Sequence, residues 1–128
     1  MAENLDPLGH SEQVRMVQGD SEIVPGVWAH VIDGHTRAQQ AVRIVDSERT
    51  LVYVADLIPT SAHIPPVWCM AYDIEPMKSI DEKTSFLTEA AENGWSLFFE
   101  HDPSVEVLNV EQSDGRIRGT NPRSLVDL

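Results

Sequence analysis

Two short runs rich in Val, Ile and Tyr, Gln40 to Val45 and Leu51 to Ala55, flank the polar stretch Asp46 to Thr50. β-Branched and aromatic side chains fit the pleated surface of a strand, and a polar connection of this length suits a hairpin, so the two runs are expected as antiparallel neighbours. Closing the loop around Glu48 sets Asp56 across from the neighbourhood of Gln40. The loop that carries His35 then leaves the sheet at the same end as the Asp56 carboxylate.

The 128 residues are expected to form a single domain, 1–128, large enough for one core. Lys plus Arg number 9 against 21 Asp plus Glu, a formal charge of −12, and no stretch gathers several basic residues. A polyanion would be repelled, so no nucleic-acid partner is expected. The opening MAENLDPLGHSEQ lacks the basic and apolar regions of a signal peptide, and no apolar run is long enough to span a bilayer. The expectation is a soluble cytoplasmic protein with no membrane partner. Cys69 is the only cysteine, which rules out an intrachain disulfide and leaves any metal to His and carboxylate ligands. Its neighbours in VWCMAY are apolar, so a buried, inert thiol is expected.

Taken in order, residues 1–13 suit a loosely ordered arm containing a solvated His10. Val14 to Gln18 is a short strand candidate, Gly19-Asp20-Ser21 a turn, and Val27 to Ile32 a second strand in which His30 packs on the larger face. Residues 57–76 hold four of the eight prolines and no steady period. A loop this long is commonly functional. Two readings stand for it: His63, Trp68 and Tyr72 line a pocket, or Ile64, Val67, Trp68 and Met70 anchor the loop on the core. Ser79 with Glu82 has the spacing of a helix-opening capping box, Ile80, Leu87, Ala90 and Ala91 form its apolar stripe, and Asn93-Gly94 ends it. Strands follow at Trp95 to Glu100 and Val105 to Val110, with Asp114-Gly115 turning into Arg116 to Arg118. Nothing visible holds the tail.

Leu51 to Ala55, the loop and helix, and Leu97 to Glu100 make a strand–crossover–strand unit, whose strands are expected to be parallel and to end at one edge. That edge is where open α/β sheets bind ligands. It would hold Asp56, His101 and the loop of His35, a carboxylate and two imidazoles suited to Zn²⁺, Fe or Mn²⁺. The plain alternative makes Asp56 a turn former, gives His35 to the Asp33-Gly34 turn and His101 to an exposed corner.

The segments GHTRAQQAV, LVYVADLIPT and LFFEHDP resemble, in order and spacing, the C-terminal half of metallo-β-lactamase-fold hydrolases. The resemblance implies an α+β fold, the mostly β half of an αββα sandwich, with one sheet and one long helix packed on it. It also implies metal ligands at His35, Asp56 (bridging) and His101, with His63, Trp68, Tyr72 and Thr36 as pocket or supporting residues. The expected cofactor is zinc, or iron or manganese. Departures from the family pattern are Arg37, Ala38 and Gln39 after the Thr, Ala55 before the Asp, and the absence of an HxHxDH motif. The implied function is a metal-dependent hydrolase of the ester, lactone, thioester or phosphodiester class, inactive or weakly active from this half alone. The other reading is a non-catalytic half-domain that dimerises or binds a partner through its bare sheet face. A third is a small-molecule pocket built on Trp68 and Tyr72. The expected partner is a second copy of the chain or a missing N-terminal half.

Overall fold

A computed structural model describes residues 2–128. Seven strands lie side by side in chain order: β1 (Ser21–Val24), β2 (Val27–Ile32), β3 (Gln39–Val45), β4 (Thr50–Tyr53), β5 (Ser96–Phe98), β6 (Val107–Ser113) and β7 (Arg116–Arg123). Every neighbouring pair is antiparallel except β4 and β5, which run parallel with Val52 opposite Leu97. The long helix α2 (Pro76–Asn93) makes the crossover between them. This is the α+β arrangement expected, one mixed sheet and one long helix.

The central hairpin forms as expected, with Val45 opposite Thr50 and Val42 opposite Tyr53. Its turn is held by Asp46, whose carboxylate accepts the amides of Glu48 and Arg49 at 2.7 and 2.8 Å. At the far end of the sheet, Asp114 and Gly115 both take positive φ, 52° and 71°, the left-handed pair that a tight hairpin needs.

Several boundaries differ from the sequence reading. Helix α1 (Ala2–Gly9) occupies much of the stretch expected as an arm. Val14 to Gln18 is not a strand; the first strand begins at Ser21, where β1 pairs with β2 across the Pro25-Gly26 bend. The tail is held after all. Strand β7 runs to Arg123, whose guanidinium donates to Asn109 Oδ1 and Ser96 Oγ at 2.8 Å each.

No capping box opens α2. Pro76 stands in its first turn, where a fixed φ and a missing N–H cost nothing, and Glu75 caps it without a side-chain bond. Glu82 bonds elsewhere, and the buried Ser79 hydroxyl has no hydrogen-bond partner among the described residues. Gly94 ends the helix as expected, in the left-handed conformation at φ 65°. The buried stripe is Ser79, Lys83, Phe86, Leu87 and Ala90, rotated from the expected one so that Ile80 lies only partly buried. Phe86, Leu87 and Ala90 pack with Val52, Leu97, Leu108 and Val110 in the core. Each large side chain so buried is worth roughly 1.5–3 kcal/mol.

Residues opposite one another on paired strands share a face. Val42, Tyr53 and Phe98 form one such row and Ile44 with Leu51 the next, on the side of the sheet away from α2. All five stay partly exposed, Ile44 at 45%. Among the described residues no helix is long and apolar enough to cross a membrane.

Candidate metal centre

His35 stands on the β2–β3 connection, and the start of α2 fixes that connection by its backbone. The amides of Asp33 and Gly34 donate to the Glu82 carboxylate at 3.1 and 3.0 Å, the amides of Ile74 and Glu75 donate back to the carbonyls of His35 and Gly34, and Lys78 pairs with Asp33 at 3.0 Å. The approach is so close that only glycine fits at 34: a Cβ there would lie 2.4 Å from the Ser79 amide nitrogen.

The ring of His35 is oriented from both sides. Nδ1 lies 2.8 Å from the carboxylate of Asp73, whose side chain is only 4% exposed, and Tyr72 meets the ring edge-on at 6.3 Å. An ionised carboxylate only accepts, so Nδ1 carries the proton. In the neutral imidazole, Nε2 then presents its lone pair to Asp56 Oδ2, 3.4 Å away. Two acceptors at that distance call for a proton or a cation between them.

Asp56 follows β4 in a 3₁₀ turn, Ala55–Leu57. Ala55 takes φ 49°, a left-handed conformation in which glycine is the unstrained choice, so the departure at this position stores some strain beside the site. The other Asp56 oxygen, Oδ1, stands 3.3 Å from His101 Nε2 without hydrogen-bonding geometry; it is buried and has no partner among the described residues. His101 Nε2 is also 3.0 Å from Glu100 Oε1. Glu100 in turn accepts a hydrogen bond from the Tyr53 hydroxyl. Burial first, then that bond, then the negative charges of Glu100 and Asp56 push the Tyr53 phenol up to about 12, so it remains a donor.

The corner after His101 is clamped by Asp102. Burial alone would raise its carboxyl, but the Ser61 hydroxyl and the amides of Ser104, Ser61 and Val105 donate to it and hold it down at about 2. This ties the His101 corner to the start of the Pro-rich loop.

The structure therefore brings His35, Asp56 and His101 to one edge of the sheet, with the Asp56 carboxylate between the two imidazoles. A cleft of about 520 Å³ opens beside them, lined by Asp56, Thr60, His63, Met70, Tyr72 and His101 among others. His63 and Tyr72 thus lie where the pocket reading sets them. Burial, and then the charge of Lys83, lower the affinity of His63 for a proton, and its Nδ1 lies 2.8 Å from Thr60 Oγ1. Trp68 and Thr36 do not line the cleft. Trp68 is 59% exposed and bonds through its backbone, its carbonyl accepting from Lys83 and its amide donating to Pro65; Thr36 is exposed and contributes its carbonyl to the turn at Gln39. Glu100, Asp73, Asp102 and Lys83 are the residues sequence reasoning missed. Glu100 and Asp102 flank His101 in the EHDP corner and were within reach; nothing local marks Asp73 or Lys83.

No family model matches the chain, and no curated protein matches it in sequence. Solved structures do. A probable metal-dependent hydrolase from Staphylococcus aureus superposes on 86% of the chain with a TM-score of 0.74 and 25% identity. A hydrolase of the beta-lactamase superfamily, AbOPH, covers 96% with a TM-score of 0.79 and 16% identity. The fold is that of the metallo-β-lactamase superfamily. AidC, a dizinc quorum-quenching lactonase, matches 87% of the chain with a TM-score of 0.73 and 19% identity. The chain spans only 41, 43 and 38% of these three proteins respectively.

Proposed function

We propose that His35, Asp56 and His101 hold a divalent metal ion, zinc or else iron or manganese, as this chain's contribution to a metal-dependent hydrolase site of the ester, lactone, thioester or phosphodiester class. The observation that carries the reading is the Asp56 carboxylate, with one oxygen 3.4 Å from His35 Nε2 and the other 3.3 Å from His101 Nε2. A buried oxygen with no hydrogen-bond partner among the described residues, facing a ring nitrogen, fits a cation, and the nitrogen and oxygen donors match the preference of these metals. The metal-dependent and dizinc hydrolases on which the chain superposes support the same reading.

Bound there, an ion supplies polarisation of a carbonyl or phosphoryl oxygen and a water acidic enough to be a nucleophile near neutral pH. The protein's own part is positional. Asp73 fixes the His35 tautomer so that Nε2 faces inward, Asp102 fixes the corner that carries His101, and the wall formed by Met70, Ala71 and Tyr72 gives an apolar group of a substrate somewhere to lie. Three ligands and an open side leave a second ion unsupported, so this chain alone is expected to turn over model esters and lactones weakly or not at all. Metal analysis of purified protein tests the reading: bound zinc, iron or manganese that Asp56→Ala removes is expected, and wild-type protein that binds none of the three at micromolar concentration would end it.

A second reading rests on a different observation, the partly exposed row of Val42, Ile44, Leu51, Tyr53 and Phe98. In it the chain is a non-catalytic half-domain that pairs with a second copy of itself across this face. Covering such side chains is worth roughly 1.5–3 kcal/mol each. Sedimentation at micromolar concentration is expected to show a dimer, and only monomer would count against it.

A further inference from the structure

We propose that Glu100 is a metal ligand of this chain, so that Asp56, Glu100 and His101 together supply three protein ligands to one ion. The inference rests on the reading that the cluster takes a metal, and goes beyond it by naming a ligand and by separating His35 from the primary set.

Distances decide the grouping. Nitrogen and oxygen donors sit about 2.0–2.2 Å from zinc, so two ligands on one tetrahedral ion are roughly 3.4 Å apart. His101 Nε2 lies 3.0 Å from Glu100 Oε1 and 3.3 Å from Asp56 Oδ1. Among the described residues Asp56, Glu100 and His101 are the group whose ligand atoms all fall within 4.8 Å of one another. His35 is outside that group and faces the opposite oxygen of the same carboxylate. It is therefore placed to touch a different ion, or to steady Asp56, while the three-residue set closes around one.

The alternative is a surface ion pair in which a protonated His101 bonds one of its acidic neighbours. That leaves features unexplained. One N–H cannot serve Glu100 and Asp56 at once, and the buried Asp56 Oδ1 stays without a partner among the described residues. His101 is also 55% exposed, where an ion pair contributes too little to hold three side chains in register. An ion accepts all three donors. Tyr53 is the positioning residue: its hydroxyl donates to Glu100 Oε2, leaving Oε1 turned toward His101. Tyr53 and Phe98 are opposite partners on the parallel pair β4–β5, so the strand register itself delivers Glu100, two residues after Phe98, to the Asp56 turn.

The test uses the full chain stripped with chelator and titrated with Zn²⁺, with Co²⁺ as a spectroscopic probe. Wild type is expected to bind one ion with a cobalt spectrum of a low-coordinate N/O site. Glu100→Gln should weaken Zn²⁺ at least about tenfold and alter the cobalt bands, whereas Tyr53→Phe should weaken Zn²⁺ and leave the band pattern in place. Thermal unfolding of each apo variant separates loss of ligand from loss of fold; Glu100 is exposed, so its variant should melt with wild type. If wild type binds and Glu100→Gln binds equally with an unchanged spectrum, the role of Glu100 is wrong and the metal reading survives. If wild type binds neither ion, the metal reading itself has failed.

Discussion

Replacing Asp102 by Asn should unfasten the corner that carries His101, at a cost the structure lets one work out twice. Its Oδ1 accepts the amides of Ser104 and Val105 at 2.9 Å each, and Oδ2 accepts the amide and hydroxyl of Ser61 at 2.8 and 2.6 Å. An amide has one accepting end, so two of the four bonds are lost and an NH₂ faces their donors. Bonds to a charged acceptor contribute roughly 1.5–3 kcal/mol each when dry, and partial exposure brings the pair down to about 2 kcal/mol. The proton equilibrium gives the same size: a carboxyl held at about 2 against an ordinary 3.8 corresponds to roughly 2 kcal/mol. Because the folded value is the lower one, this stability is fully present above pH 3.8 and is lost as pH falls toward 2. Urea unfolding of both proteins should therefore show a gap of about 2 kcal/mol at pH 7 that shrinks to about half by pH 3, since the neutral amide does not titrate. A gap under about 0.5 kcal/mol at pH 7, or one that does not narrow in acid, would refute the clamp.

Gly34→Ala should destabilise by about 1–3 kcal/mol, because the new Cβ would lie 2.4 Å from the Ser79 nitrogen and 2.7 Å from its Cα, both backbone atoms that cannot step aside; an unchanged melting temperature would contradict the packing. Lys83→Met should cost about 1–3 kcal/mol and speed amide exchange across residues 61–70, since the buried ammonium donates to the carbonyls of His63 and Trp68 at 3.2 and 2.8 Å; protection equal to wild type would show that the loop is held otherwise. Asp73→Ala should release the His35 tautomer, and ¹⁵N chemical shifts of the ring should report a mixture in place of the Nδ1–H form; a ring that keeps that form would assign its orientation to other contacts.

The sheet was legible where alternation and turn chemistry act locally. Gln40–Val45 and the first three residues of Leu51–Ala55 lie on the arms of the central hairpin, Asp114-Gly115 supplies the left-handed pair of the last one, and the crossover rule alone makes β4 and β5 parallel. From that topology the meeting of His35, Asp56 and His101 follows, because three loops leave the sheet at one edge. The errors arose where tertiary contact overrides local pattern. Ser79 and Glu82 have capping-box spacing, yet Pro76 had already begun the helix, and Glu82 is drawn to the amides of Asp33 and Gly34. Lys83 lies in the buried stripe because two carbonyls of the Pro-rich loop need its protons, a demand invisible until the loop is folded over the helix. Asp73, thirty-eight residues from His35 in the chain, is such a case as well.

The candidate metal cluster and the partly exposed sheet face share a residue, which ties the two functional readings together. Tyr53 packs against Phe98 at 6.0 Å on that face and donates its hydroxyl to Glu100 at the cluster. A second copy covering the face would desolvate Tyr53 and confine Glu100, favouring the arrangement in which Glu100, Asp56 and His101 face one ion. Binding free energies obey reciprocity, so whatever factor dimerisation adds to Zn²⁺ affinity, Zn²⁺ must add to dimerisation. Sedimentation with and without Zn²⁺ reads one side of that equality, and Zn²⁺ titration at low and high protein concentration reads the other. Tyr53→Phe, which keeps the ring on the face but removes the hydroxyl, should leave dimerisation intact while reducing both changes together. A dimer equally tight with and without Zn²⁺ would mean that the face and the cluster act independently, however close they lie.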